Sequence, residues 1–198
     1  MMNQNKIRSF IALGVPDDFK QWIKDIQDQL RDIPGARVTW AGSKGIHLTL
    51  KFLGDVEPDL ASKIEKELTF IATETAPFML KSTRTGGFPN LRNPRVLWIG
   101  LEGEGILFKL QKNLEKKLSE FGFETEKRRF NPHLTVGRVR HIDGGCPLPA
   151  KFENIVVPEF SWKAERLLLM SSLLKPSGAE YKVIADMPFY KPSIYVEE

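Results

Sequence analysis

Two α+β lobes, related by an internal repeat and facing each other across a cleft, are what this 198-residue sequence predicts. Three observations lead there. Short apolar runs of strand character alternate with segments whose apolar residues recur at helical spacing. The series Phe10-Ile11-Ala12-Leu13, a helix and His47-Leu48-Thr49-Leu50 is echoed by Trp98-Ile99-Gly100-Leu101, a helix and His133-Leu134-Thr135-Val136. The separations also agree, with 34 positions from Leu13 to His47 and 32 from Leu101 to His133. Such an echo implies a bilobal, pseudo-twofold arrangement of two antiparallel sheets. Helices flank their outer faces, and the two histidine tetrapeptides line a central cleft. The whole chain, 1–198, is read as a single two-lobed domain, long enough to bury a real core.

Each element has its own signal. Residues 7–15 form an apolar strand closed by Pro16, after which Asp17 is placed to cap a helix carrying Phe19, Trp22, Ile23, Ile26 and Leu30 on one face. Pro34-Gly35 ends that helix, and a brief strand at 38–40 leads to a strong strand at 46–53. Pro58 opens a second helix with the stripe Leu60, Ile64, Leu68 and Ile71. Strands at 78–84 and 96–101 flank a loop rich in Gly, Pro and Asn. A third helix follows with Leu107, Leu110, Leu114, Leu118 and Phe121, ending at Gly122. Residues 133–139 read as a strand, 143–149 as a Gly/Pro-rich loop, and 154–157, 166–174 and 181–185 as three more strands.

Composition narrows the class. With 41% hydrophobic and 27% charged residues, the chain is not of the disordered kind. Its net charge of +4, from 29 basic and 25 acidic residues, permits a polyanionic partner without demanding one. The single cysteine, Cys146, has no partner for an internal disulfide, which suits a reducing cytoplasm. The apolar run 10–15 is too short for a secretion signal and nothing later approaches a membrane span. A cytoplasmic monomer that does not engage membranes is the expectation.

Two of the three histidines share the context His-Leu-Thr-aliphatic. Alternation in a strand puts His47 and Thr49 on one face, and Leu48 and Leu50 on the other; His133 and Thr135 divide likewise from Leu134 and Val136. If the repeat sets these strands side by side, two imidazoles and two hydroxyls line one cleft. Hydrolysis of a strained cyclic phosphate requires that set. One neutral histidine takes the proton of the attacking water, a protonated one delivers a proton to the leaving oxygen, and the threonines donate to the phosphoryl oxygens. No metal or other cofactor is needed. A lone His-x-Thr is commonplace in structural strands; two copies in matching contexts are not.

Lys51 falls on the face of His47 by alternation and is a phosphate candidate, or else an exposed strand-end lysine. The run Lys127-Arg128-Arg129 can steer an RNA backbone or be a solvated turn. Trp40 and Phe130 can stack on a base or belong to the core. His141 and Cys146 across one loop are too few to hold a metal, and no phosphate-cradling Gly-x-x-x-x-Gly-Lys loop is present.

The two tetrapeptides are the signature of the 2H phosphoesterases, and their surroundings resemble the LigT-type RNA 2′,3′-cyclic phosphodiesterases, the RNA 2′-5′ ligase family. The resemblance runs over essentially the whole chain. It includes Arg8-Ser9-Phe10-Ile11-Ala12-Leu13, His47 through Gly54, Gly87-Phe88-Pro89-Asn90, Pro94 through Trp98, and Phe130-Asn131-Pro132-His133-Leu134-Thr135. It implies His47 as proton donor and His133 as proton acceptor, roles that their near-identical local sequences leave open. It also implies conversion of an RNA 2′,3′-cyclic phosphate end to a 2′-phosphate end, and in some relatives reversible 2′-5′ joining. Arg138, five residues after His133, corresponds to an arginine of those relatives. Strict alternation turns it away from His133 unless Gly137 supplies a bulge, and a solvated surface arginine is the alternative. Two other functions remain open: a phosphodiesterase for a small cyclic nucleotide or an ADP-ribose cyclic phosphate, and a non-catalytic module that binds RNA ends.

Overall fold

The computed structural model describes residues 6–175 and 178–190. Nine strands and four helices follow in the order β1 (Ile7–Leu13), α1 (Asp17–Leu30), β2 (Ala36–Trp40), β3 (Leu48–Val56), α2 (Pro58–Thr73), β4 (Phe78–Phe88), β5 (Val96–Gly103), α3 (Gly105–Ser119), β6 (His133–Ile142), α4 (Leu148–Glu153), β7 (Ser161–Ala164), β8 (Arg166–Lys175) and β9 (Gly178–Pro188). Every strand pairing is antiparallel. The order across the sheet is β7-β4-β5-β6-β3-β1-β8-β9, with β2 added to β6.

The two expected sheets are therefore joined into one. The seam between β3 and β6 consists of a single residue pair, Leu48 with Leu134. One half-sheet contains β9-β8-β1-β3, and the other β7-β4-β5-β6 with β2. The halves stay distinct because the strands separate on either side of that pair, yet both leucines are buried in one core.

The sequence explains which face carries the helices. Ile11 and Leu13 of β1 join the main core with Leu48, Leu134 and the stripes of α1, α2 and α3. On the other face, Phe10, Ala12 and Met170 form a small separate cluster with Leu168 and Tyr181. The second half of β1 is thus covered on both sides, which is why Phe10-Ile11-Ala12-Leu13 is a continuous apolar run rather than an alternating one. The four leucines of the α3 stripe are all buried, and α3 packs on β3 and β5 while α2 packs on β8 and β9. Among the described residues no helix is long and apolar enough to cross a membrane.

Some elements differ from expectation. Asp17 does not cap α1: it already lies in the first turn, where it pairs with Lys20 at 2.9 Å, and Pro16 supplies the carbonyl that accepts the Lys20 N–H. Its charge still favours the helix N-terminus. The supposed loop at 143–149 runs into α4, where Pro147 and Pro149 begin the helix and Leu148 and Phe152, one turn apart, are fully buried. Residues 154–157 are not a strand; Val156 is exposed, and the pairing with β4 is made by β7 through Trp162 opposite Leu80. Strand β4 also runs four residues beyond Arg84, to Phe88.

Candidate active site

His47 directly precedes β3, and His133 opens β6. The seam pair Leu48–Leu134 fixes how they meet. His47 and Thr49 flank Leu48, and His133 and Thr135 flank Leu134, so the pair brings both motifs to the junction of the half-sheets. The two His-x-Thr motifs thus meet at the seam. The aliphatic residues between them, Leu48, Leu50, Leu134 and Val136, all enter the helix-side core. Neither Thr49 nor Thr135 uses its hydroxyl in a hydrogen bond among the described residues, and both are half-buried.

The His47 ring stacks on Phe10 with centroids 4.7 Å apart and meets Tyr181 edge-on at 5.3 Å. Its Nδ1 is buried and forms no complete hydrogen bond. Burial is the main cause that lowers the His47 pKa to about 4; the Lys44 backbone weakly favours the charged ring, and the Lys20 charge opposes it.

His133 differs in one respect that matters chemically. Its Nδ1 lies 2.7 Å from the backbone oxygen of Asn131. A carbonyl only accepts, so Nδ1 carries the proton and Nε2 of the neutral ring is left with a lone pair. Phe88 meets this ring edge-on at 5.0 Å and Trp98 lies 6.2 Å away. Burial lowers its pKa; the Asn131 carbonyl works against that, and the charge of Arg138 adds to it.

The β6 ladder slips across Val136, as Trp98 pairs with Thr135 but Leu97 with Gly137. That bulge returns Arg138, paired with Val96, to the face of His133 and Trp98. Glycine is required there, since a Cβ at 137 would sit 2.7 Å from Val38 Cγ1 and 2.9 Å from Trp40 Cε3. Trp40 is accordingly a packing residue beneath β6.

A second bulge moves Lys51 the other way. Strand β1 pairs Ala12 with Thr49 but Ile11 with Lys51, so the extra residue, Leu50, breaks the alternation. Lys51 is turned into the helix side, where it bonds Glu115 at 2.6 Å and the Glu124 carbonyl at 2.8 Å. It is not on the face of His47, contrary to the expectation from strict alternation. Phe52 takes the cleft face instead, beside Phe10.

The remaining candidates scatter. Residues 127–129 are exposed, and Phe130 meets Phe108 edge-on at 6.1 Å. His141 pairs with Asp143 at 2.6 Å, whereas Cys146 donates to the Pro34 carbonyl. Among the described residues no group of three or more His, Cys, Asp or Glu side chains gathers as a metal cluster would.

Comparison with known proteins gives this geometry a relationship. The model of the LigT like Phosphoesterase family matches twice in succession, at residues 13–98 and 99–181, dividing the chain where its repeat divides. The chain belongs to the LigT-like phosphoesterase family. It is 33% identical over 187 residues to the RNA 2′,3′-cyclic phosphodiesterase of Thermotoga maritima, covering 92% of this chain and 96% of that one. The protein of the same name from Methanocaldococcus jannaschii is 32% identical over 181 residues, with 91% and 99% covered. A Thermus thermophilus crystal structure superposes with a TM-score of 0.80 at 26% identity, covering 94% of this chain and all of the other. The fold is also that of E. coli LigT crystallised with 3′-AMP, at a TM-score of 0.71 and 22% identity over 94% and 99% of the two chains.

For this LigT-like chain, sequence reasoning missed the rings that desolvate the histidines. Phe10 lies against His47 and Trp98 against His133. The signal was present, because the repeat aligns Phe10 with Trp98 as first residues of the echoed tetrapeptides. Tyr181 of β9 and Phe88 of β4 have no such signal, since only tertiary pairing brings them in.

Proposed function

We propose that this LigT-like chain hydrolyses RNA 2′,3′-cyclic phosphate ends to 2′-phosphate ends, without a metal, using His133 as base and His47 as acid. The supporting observation is the meeting of the two His-x-Thr motifs at the seam pair Leu48–Leu134. The shared name of its relatives agrees with that chemistry. His133 Nε2 accepts a proton from water as the water oxygen bonds to phosphorus. The bond from phosphorus to the ribose 3′-oxygen breaks, and that oxygen takes the proton of His47 Nε2. The Asn131 carbonyl on Nδ1 holds His133 in the tautomer that a base needs. Thr49 and Thr135 donate to the phosphoryl oxygens as charge grows on them, and Arg138 offsets the phosphate charge. Both histidines come from one chain, so a monomer suffices, and a reducing cytoplasm keeps Cys146 a thiol.

The test is incubation in EDTA with an RNA oligonucleotide ending in a 2′,3′-cyclic phosphate, the product end being compared with 2′- and 3′-phosphate standards. The wild-type chain yields the 2′-phosphate, and His47→Ala and His133→Ala each lower kcat by about 100- to 10,000-fold. Absence of turnover by folded wild-type protein, or full activity in either variant, overturns the assignment.

A further inference from the structure

The motif Gly87-Phe88-Pro89-Asn90 takes no part in the chemistry above, yet it borders a cavity of about 810 Å³ at the edge of β4. Arg84 and Gly86 of β4, Asn90 and Arg92 of the following loop, Trp98 of β5 and Glu153 of α4 line it. Strand β7 pairs with β4 only up to Lys81 opposite Ser161, so the part of β4 that lines the cavity lies beyond that pairing. Gly86 is a requirement of the wall: a Cβ there would lie 2.1 Å from Trp98 Cζ2. The indole that closes the cavity also lies 6.2 Å from the His133 ring, and Phe88 at the same strand end is 5.0 Å from it. Trp98 is thus shared between the surroundings of His133 and the lining of the cavity.

The polar groups of this cavity point to an anion. Arg84 and Arg92 are exposed and make no ion pair or hydrogen bond among the described residues. Glu153 also faces the space and neutralises neither of them. Two free guanidiniums close to a phosphate-cleaving centre suit a second phosphate of the same strand, and the volume suits a nucleotide.

We propose that this cavity is a subsite for the nucleotide on the 5′ side of the cyclic end, its phosphodiester held by Arg84 and Arg92. The proposal rests on the phosphodiesterase function above and adds to it a preference for oligonucleotides over single nucleotides. Arg84 and Arg92 act on binding of the strand and touch none of the reacting atoms.

The test uses adenosine 2′,3′-cyclic phosphate and an adenylate trinucleotide with the same cyclic end. The wild-type chain shows a kcat/KM at least about tenfold higher for the trinucleotide, roughly what one charge-assisted contact supplies. In the Arg84→Ala/Arg92→Ala double variant that advantage disappears, the mononucleotide is turned over within about twofold of wild type, and Arg84→Lys/Arg92→Lys restores part of the preference. Equal wild-type rates on both substrates, or equal losses on both in the double variant, overturn the subsite. Calorimetric titration with a 2′-phosphorylated dinucleotide and with adenosine 2′-phosphate separates the two conclusions. Tighter dinucleotide binding that the double variant loses, in a chain that hydrolyses neither substrate, refutes the hydrolysis and supports the subsite.

Discussion

Phe10 and Tyr181 enclose the His47 ring and take water from it, and that burial holds its pKa near 4 in the free protein. For the proposed role of His47 as proton donor, so low a pKa leaves the ring mostly neutral at pH 7, and the substrate has to help charge it. A bound phosphate anion beside the ring favours the imidazolium and raises the pKa. Ring titration by NMR is expected to place the His47 midpoint near 4 in the free protein and higher with a saturating 2′-phosphate nucleotide; an unmoved midpoint removes His47 as the acid. The same shift has a consequence for stability. The unfolded imidazole titrates near 6.5 and the folded one near 4, so between these values the unfolded chain binds more protons. The His47 contribution to folding stability is fully present above pH 6.5 and falls away as the pH drops toward 4. His133, lowered in the same direction, adds to this slope. Replacing His47 by Asn is expected to flatten the dependence of the urea midpoint on pH between 7 and 4.

Bulges decide which side chains strands β3 and β6 deliver to the cleft. The one at Leu50 sends Lys51 away into a nearly dry cluster, with its side chain 4% exposed and that of Glu115 12%. Glu115 Oε2 also accepts the Glu126 N–H, and Lys51 holds the Glu124 carbonyl, so the pair ties α3 and β3 to the segment that leads to His133. Removing one partner leaves the other charge buried and unpaired. Lys51→Met is expected to cost about 3–5 kcal/mol in urea unfolding, whereas Lys51→Met with Glu115→Leu recovers much of it; equal losses in both would show that the pair is not what holds the segment. This is also where sequence reading reaches its limit. Most strands, the helical stripes, the repeat and both histidine motifs were legible because periodicity and echo are local. A bulge is invisible to alternation unless a glycine marks it, so Arg138 was placed with the help of Gly137 while Lys51 was misplaced. Helix α4 was hidden because Pro147 and Pro149, read as breakers, in fact start a short helix anchored by Leu148 and Phe152. The rings of Tyr181 and Phe88 reach the histidines only through β9–β8–β1 and β4–β5 pairing, which no local pattern reveals.

The whole molecule places its two halves through a contact of one residue pair in the ladder, backed by the shared core and by Gln27 of α1. That side chain, 3% exposed, donates to the carbonyls of both Ala41 and Val136, pinning the approach to β3 against β6. Because the two histidine motifs meet at that pair, the spacing of the site is a property of the seam rather than of either half. A cavity at the seam should therefore damage activity beyond its effect on stability. Leu48→Ala and Leu118→Ala both remove almost fully buried leucines, one at the seam and one in α3, and each is expected to cost about 2–5 kcal/mol. Displacement of reacting groups by about 1 Å costs on the order of 100-fold. Under conditions where urea titration shows both variants fully folded, kcat on the cyclic-phosphate RNA is expected to fall markedly in Leu48→Ala and stay near wild type in Leu118→Ala. Equal kcat values in the two would mean that the cleft is held open by each half independently. The single pair would then be an incidental contact between two self-sufficient sheets.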